Sequence, residues 1–127
     1  MSDRIKCRGD RCALILRPGD HVARQAMIGP LTHHGIVDID GRVIHATPDA
    51  PGVVSDDLTT FAAGREIEVL QRAESDEEAA QVAARARAQI GQPFDLLRAN
   101  CEHVAYGARG QRVSPTIAEL LRLLRGR

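Results

Sequence analysis

Two spacings of apolar residues divide this 127-residue chain near position 75. Before it, short groups of Val and Ile alternate with polar residues, a pattern typical of half-buried strands. After it, apolar residues recur every three or four positions, as on one face of a helix. The stretch 48–63 has no regular spacing and is predicted to be a loop, with a short turn at 55–58. We expect strands at 21–24, in both arms of a hairpin within 34–47, and at 65–71.

The first helix is predicted from Asp76 to Ile90. Ser75 can cap it, and Glu78 completes a capping box with Ser75. The acidic residues of the first turn face the positive end of the helix dipole. Gly91 is typical of the residue that ends a helix.

Two further helices are expected downstream. Asn100 can cap one that begins at Cys101 and ends near Ala108, and Ser114-Pro115 has the residue types that open another. Because strands come first and helices after, the predicted fold class is α+β. The length suits one domain, residues 13–127, preceded by a polar leader, residues 1–12.

Composition excludes several function classes. The chain has 17 basic and 17 acidic residues and a formal net charge of zero, so we expect no nucleic-acid partner. No apolar run approaches the roughly 20 residues that span a bilayer. The polar first ten residues lack the apolar segment of a signal peptide. No glycine-rich phosphate loop is present, so no cofactor is expected.

The three cysteines are an odd number and do not suggest a disulfide framework. We therefore expect a cytoplasmic protein in a reducing compartment. Cys7 and Cys12 are close enough in sequence to share a metal with a histidine. A zinc site normally needs four grouped ligands, and no second pair is present, so no metal site is expected.

Cys101 is the candidate nucleophile. In the first turn of a helix, a thiol lies near unpaired backbone N–H groups and the positive dipole end, which stabilise the thiolate. The same N–H groups can hold the oxyanion of a tetrahedral intermediate. The alternative is a buried structural cysteine, since free cysteine is among the most buried residue types.

Hairpin geometry narrows the choice of a base for this thiol. If Asp40 and Gly41 are the central residues of a two-residue turn, paired positions sum to 81, and His33 and His45 point to opposite faces. If Asp38 begins a type I turn with Gly41 left-handed, paired positions sum to 80. His33 and His45 then become diagonal neighbours on one face. Asp at the first turn position and Gly at the fourth favour this second geometry.

The other three histidines have structural interpretations. His34 points to the opposite face and is expected to be packed or solvated. His103 follows Cys101 by two residues, so on a helix it points away from the thiol and is expected to anchor the helix. His21 follows a turn and has no predicted partner.

Four blocks of residues resemble the lecithin:retinol acyltransferase family, which belongs to the wider papain-like NlpC/P60 group. The block that contains Asn, Cys, Glu and His in a row is the most specific of them. The four blocks are Arg17-Pro18-Gly19-Asp20, Leu31-Thr32-His33-His34-Gly35-Ile36, Asp40-Gly41-Arg42-Val43-Ile44-His45 and Asn100-Cys101-Glu102-His103.

The resemblance implies a permuted papain-like fold, in which a small antiparallel sheet packs against helices and the histidines precede the cysteine. It implies that Cys101 is the nucleophile, that His33 is the general base, and that His45 orients or polarises His33. Members of the family move acyl chains from glycerophospholipids to water, amines or alcohols through an acyl-cysteine. The implied function is a thiol acyl hydrolase or acyltransferase, with a lipid or another acyl-bearing small molecule as substrate.

Two other functions remain open. Papain-like relatives also cut peptide or isopeptide bonds. Aromatic residues make up only 2% of the chain, and His34 and Val104 stand where the family usually has aromatic residues, which leaves room for an amide substrate.

The last function is that of a non-catalytic domain that binds a partner or a membrane surface. The final predicted helix combines a leucine stripe with Arg122, Arg125 and Arg127, a pattern that suits peripheral contact with an anionic membrane. Packing of that stripe on the domain is the simpler interpretation. The presence of cysteine and both histidines argues against a domain that has lost its activity.

Overall fold

One antiparallel sheet of six strands organises the part of the chain that this computed structural model describes, namely residues 5–25, 32–47, 52–93 and 101–110, with the backbone alone for 101–103. The strands are β1 (Ile5–Cys7), β2 (His21–Gln25), β3 (Thr32–Val37), β4 (Val43–Ala46), β5 (Val53–Asp56) and β6 (Ile67–Gln71). The helices are α1 (Cys12–Ile15), α2 (Leu58–Ala62), α3 (Asp76–Arg87) and α4 (Cys101–Ala108). Across the sheet the order is β1-β6-β2-β3-β4-β5. The predicted α+β class is confirmed.

The β3–β4 hairpin has the three-residue turn that the sequence favours. Ile36 pairs with Ile44, so paired positions sum to 80. Gly41 has a φ of 86°, a conformation that glycine adopts without steric cost. Its N–H donates to the carbonyl of Asp38 over 3.0 Å. Because side chains alternate along a strand, the odd-numbered residues of β3 and β4 share one face of the sheet.

Residues 53–62 are regular where the sequence predicts a loop, and that prediction was wrong. β5 pairs with β4 along its whole length. Asp57 then caps α2, since its carboxylate accepts the N–H of Thr60 over 2.7 Å. The strand ends in Ser55 and Asp56, which interrupt the apolar alternation that would have indicated it. Pairing with β4, and not local propensity, determines this strand.

The structure confirms the predicted start of α3. The hydroxyl of Ser75 accepts the N–H of Glu78 over 3.0 Å. The Glu78 carboxylate accepts the N–H of Glu74 over 2.6 Å, one residue before the position that a standard capping box uses. The helix ends at Arg87, before the predicted end at Ile90.

α4 has the predicted bounds, Cys101 to Ala108. Its predicted cap, Asn100, lies outside the described residues, as does the helix predicted from Ser114. Within the ranges given above, no helix is long and apolar enough to cross a membrane.

Residues 5–12 are folded, in contrast to the loose leader expected for residues 1–12. β1 forms the edge strand beside β6, and a short 3₁₀ turn, Gly9–Arg11, leads from it to α1. A disulfide joins Cys7 to Cys12, and both residues are buried. This end of the chain therefore contributes to the core.

The disulfide corrects two expectations about the cysteines. The odd cysteine count did not reveal it, because the pair depends on a turn that brings the Cα atoms of Cys7 and Cys12 to 5.1 Å. Disulfides persist mainly in oxidising surroundings. The expectation of a reducing compartment rested on cysteines without disulfides, so it loses its basis. The two sulfur atoms are bonded to each other and do not act as metal ligands.

Two hydrophobic clusters cover the opposite faces of the sheet. On the even-numbered face of β3 and β4, Ile36 and Ile44 pack against α3 and α4; we call this the helix face. On the odd-numbered face, Val37 and Val43 pack around Phe61 with α1 and α2; we call this the Phe61 face. Each strand residue therefore belongs to one environment or the other.

Candidate functional site

β3 carries two consecutive histidines, and strand alternation sends them to opposite faces. His33 lies on the Phe61 face, with its ring centroid 5.5 Å from that of Phe61. His34 lies on the helix face, with its ring centroid 6.0 Å from that of Tyr106 in α4. Each histidine belongs to a separate hydrogen-bonded chain.

The first chain joins His33, His45 and Asp56. Nε2 of His33 lies 2.7 Å from Nδ1 of His45, which confirms that these two histidines are neighbours on one face. Nε2 of His45 lies 2.8 Å from Oδ2 of Asp56. The His45 side chain is 6% exposed and that of Asp56 is 33% exposed, and His33 is half-buried, so the chain is most deeply buried at its centre.

Phe61 shields both imidazole rings. Its centroid is 5.5 Å from that of His33 and 5.2 Å from that of His45. Gly35 lies on the same face of the sheet as His33 and His45. Its lack of a side chain leaves room for the Phe61 ring, because a Cβ at position 35 would lie 2.9 Å from Phe61 Cε1. The guanidinium of Arg24, opposite His33 on β2, donates to the carbonyl of Phe61 over 2.5 Å.

This environment keeps both rings neutral at neutral pH. Burial, followed by the charges of His45 and Arg24, lowers the pKa of His33 to about 3. Burial also lowers the pKa of His45, although its hydrogen bond with Asp56 opposes the shift. A neutral imidazole has one free nitrogen lone pair and can accept a proton.

A second histidine chain, which the sequence does not predict, lies on the helix face. Nε2 of His21 lies 2.8 Å from Nδ1 of His34, and Nε2 of His34 lies 3.1 Å from the hydroxyl of Thr32. Arg109 reaches Nδ1 of His21 over 2.5 Å and also binds Gln71. His34 is packed, as expected, whereas His21 does have a partner. Predicting the contact between His21 and His34 would require the β2–β3 register, and the sequence of residues 26–31 does not indicate that register.

Cys101 is the first residue of α4, the position predicted for it. Its side chain and that of His103 lie outside the described residues. The described side chains of α4 pack on the helix face, where Val104, Ala105 and Ala108 join the cluster around Ile36. The described side chains of α4 therefore lie on the opposite face of the sheet from His33 and His45, which are on the Phe61 face. The structure thus brings the two predicted histidines together, and the pairing of Cys101 with His33 stays a prediction.

Asp56 is the polar residue of this site that was not predicted from the sequence. It was predicted to lie in a turn, and only the β4–β5 register shows that it shares a face with His45. The weak signal was the pair of β-branched residues Val53-Val54. In the part of the chain described above, no three His, Cys, Asp or Glu side chains group as a metal site would require.

Comparison with known proteins gives one family. A search of curated proteins finds no match. The model of the family described as lecithin retinol acyltransferase matches residues 15–113, a span that runs from α1 past the end of α4 and includes His33, His45 and Cys101. The match covers most of the chain and agrees with the four sequence blocks. The chain therefore belongs to the lecithin retinol acyltransferase family.

Proposed function

We propose that this protein is a cysteine-dependent acyl hydrolase or acyltransferase that forms an acyl-thioester on Cys101. The observation that carries the proposal is the 2.7 Å contact between His33 and His45, in a chain of this family whose only other predicted catalytic residue begins a helix. His33 serves as general base and His45 orients it. The pairing of Cys101 with His33 rests on family membership and on the helix N-terminus.

The proposed reaction has two steps that conserve atoms and charge. His33 takes the thiol proton, and the thiolate of Cys101 attacks the acyl carbonyl to give a tetrahedral oxyanion. The first N–H groups of a helix have no partner within it, so those of α4 are suited to bind that oxyanion. The leaving group departs with the proton from His33, and the thioester remains. Water or an acceptor hydroxyl or amine then gives its proton to His33 and attacks the thioester, and the thiolate of Cys101 takes that proton back as the C–S bond breaks and the acyl group is released.

The substrate class follows from the family and not from a pocket. The family name points to an acyl chain carried as an ester, and a glycerophospholipid is the donor that we propose. An amide substrate would use the same thioester and the same two histidines. The mass of the trapped acyl group separates these two, because a fatty acyl group and a peptide fragment differ in mass.

The test is intact mass after brief exposure to short-chain acyl esters and to phospholipid vesicles. We expect one acyl adduct on the wild type and none on Cys101→Ala. In His33→Gln we expect acylation to slow by about 10²–10⁴-fold, the contribution of a general base. Gln keeps a donor near the position of Nε2 and lacks a basic nitrogen, so the contact with His45 can persist.

His34→Gln is the matched control, because His34 is the adjacent, buried residue on the opposite face. Circular dichroism and thermal unfolding establish that each variant is folded. Retention of acylation in His34→Gln, together with its loss in His33→Gln, supports the proposal. The reverse result would assign the base to the helix-face pair, and acylation that survives in Cys101→Ala would overturn the thioester route.

A further inference from the structure

The chain of hydrogen bonds through His33 and His45 ends on a carboxylate, and this fixes where its protons sit. Asp56 is the last residue of β5, and its neighbour Val54 pairs with His45 across the β4–β5 ladder. Asp56 lies two residues further along the same face, which brings Oδ2 to 2.8 Å from Nε2 of His45. An ionised carboxylate only accepts hydrogen bonds. The proton of neutral His45 therefore lies on Nε2.

The assignment passes from His45 to His33. With its proton on Nε2, neutral His45 offers only a lone pair at Nδ1. The 2.7 Å contact then requires His33 to donate from Nε2. Neutral His33 consequently has its lone pair on Nδ1, the nitrogen that faces away from His45.

We propose that Asp56 is a positioning residue, which holds His45 in the Nε2–H tautomer and so presents Nδ1 of His33 as the basic atom of the site. The choice of thiol as proton donor rests on the proposed function. The tautomers follow from the two contacts, for neutral rings and an ionised Asp56, and do not depend on the identity of the proton donor.

The arrangement also accommodates the proton once His33 has taken it. Protonation at Nδ1 leaves the Nε2–H of His33 in place, so the positive ring donates to His45, which donates to the negative Asp56. No second proton transfer is needed, and each atom keeps the hydrogen bond that it already makes. Arg24, the cation opposite His33, disfavours a positive charge on the His33 ring. The carboxylate of Asp56 acts in the opposite direction, because it stabilises that positive charge through His45.

The first measurement is a two-bond ¹H–¹⁵N correlation spectrum of the histidine rings in the resting protein at neutral pH. Signals are assigned from single His→Gln variants. We expect His45 and His33 of the wild type to carry their protons on Nε2, and we expect Asp56→Ala to lose the single tautomer of His45. A wild-type His45 with its proton on Nδ1 would overturn the proposal, as would ring nitrogen shifts unchanged in Asp56→Ala.

The second measurement is the rate of acylation in three variants. Asp56→Ala removes both the acceptor and the charge, and we expect it to slow acylation by at least about tenfold and by no more than the about 10²–10⁴-fold that a general base supplies. Asp56→Asn keeps an acceptor oxygen, and we expect it to retain the tautomer and recover most of the rate. If Asp56→Asn were as slow as Asp56→Ala, Asp56 would act only through its charge, and the proposal would be contradicted.

Asp57→Asn is the matched control. It removes the adjacent negative charge from a fully exposed position and, because Asn also caps helices well, it leaves α2 in place. We expect wild-type ring signals and rate. If no substrate acylates the protein, the proposed function fails, while the ring spectra still test the role of Asp56.

Discussion

Gly35 determines how closely Phe61 approaches the sheet beneath the two histidines. A Cβ at this position would lie 2.5 Å from Val43 Cγ1 and 2.9 Å from Phe61 Cε1. Both distances are shorter than van der Waals contact, so Gly35→Ala must displace the ring that covers His33 and His45. We expect the free energy of unfolding to fall by about 1–3 kcal/mol, as overpacked cores do, measured by urea denaturation.

Gly107 provides the comparison for Gly35. It is an exposed residue inside α4, and a Cβ there would meet no atom within 4 Å. Gly107→Ala should therefore stabilise the protein by about 0.5–1 kcal/mol, because alanine favours helix over glycine. If Gly35→Ala were as benign as Gly107→Ala, the close contact with Phe61 would not exist in solution.

At the residue level, the sequence predicted one of the two histidine pairs. Asp38 and Gly41 specified the turn, the turn specified the register, and the register placed His33 beside His45. Asp56 could not be predicted in the same way, because Pro48-Asp49 and Pro51-Gly52 mark a connection between β4 and β5 but do not fix which residues of the two strands pair. His21 and His34 escaped for the same reason, since their contact depends on the β2–β3 register.

Among the elements, β1 and α1 are joined by the disulfide between Cys7 and Cys12. A cross-link over so short a loop contributes about 2 kcal/mol by restricting the unfolded chain. We expect the Cys7→Ala/Cys12→Ala variant to lose about that much free energy of unfolding. A reducing agent should lower the stability of the wild type by a similar amount and leave that of the double variant unchanged.

Alkylation counts the thiols directly. Mass analysis after iodoacetamide treatment of unfolded protein without reductant should find a single label, on Cys101, and full labelling of all three cysteines only after reduction. Three labels without reductant would show that Cys7 and Cys12 are free in solution.

Elements with strong local signals were predicted, and those that depend on pairing were not. α3 has a cap, an acidic first turn and an apolar stripe, all within its own sequence. β5 and α2 have few such signals. β5 is stabilised by pairing with β4, and α2 is stabilised by the burial of Phe61 in the core. β1 is similarly defined by β6 and by the disulfide.

For the whole molecule, buried histidines make stability depend on pH. Burial, followed by the charges of His34 and Arg109, lowers the pKa of His21 to about 3, whereas an unfolded histidine titrates near 6.5. Between these values the unfolded chain binds a proton that the folded protein does not, so the free energy of unfolding falls as the pH falls. The slope reaches about 1.4 kcal/mol per pH unit for each such group.

Urea denaturation at several pH values between 7 and 4 tests this dependence. The His21→Gln variant removes one titrating group, so its free energy of unfolding should change less steeply with pH, whatever its stability at pH 7. An unaltered slope would mean that His21 is protonated or accessible in the folded protein.

The β3–β4 turn has a consequence for sequence variation. A turn one residue longer or shorter would change the parity of the pairing and, with β3 held by β2, would place His45 on the face of His34. Point changes at positions 39 and 40 leave that relation intact, whereas insertions and deletions do not. Among homologues that keep the same chemistry, the number of residues between these two strands should therefore be inherited more strictly than their identity.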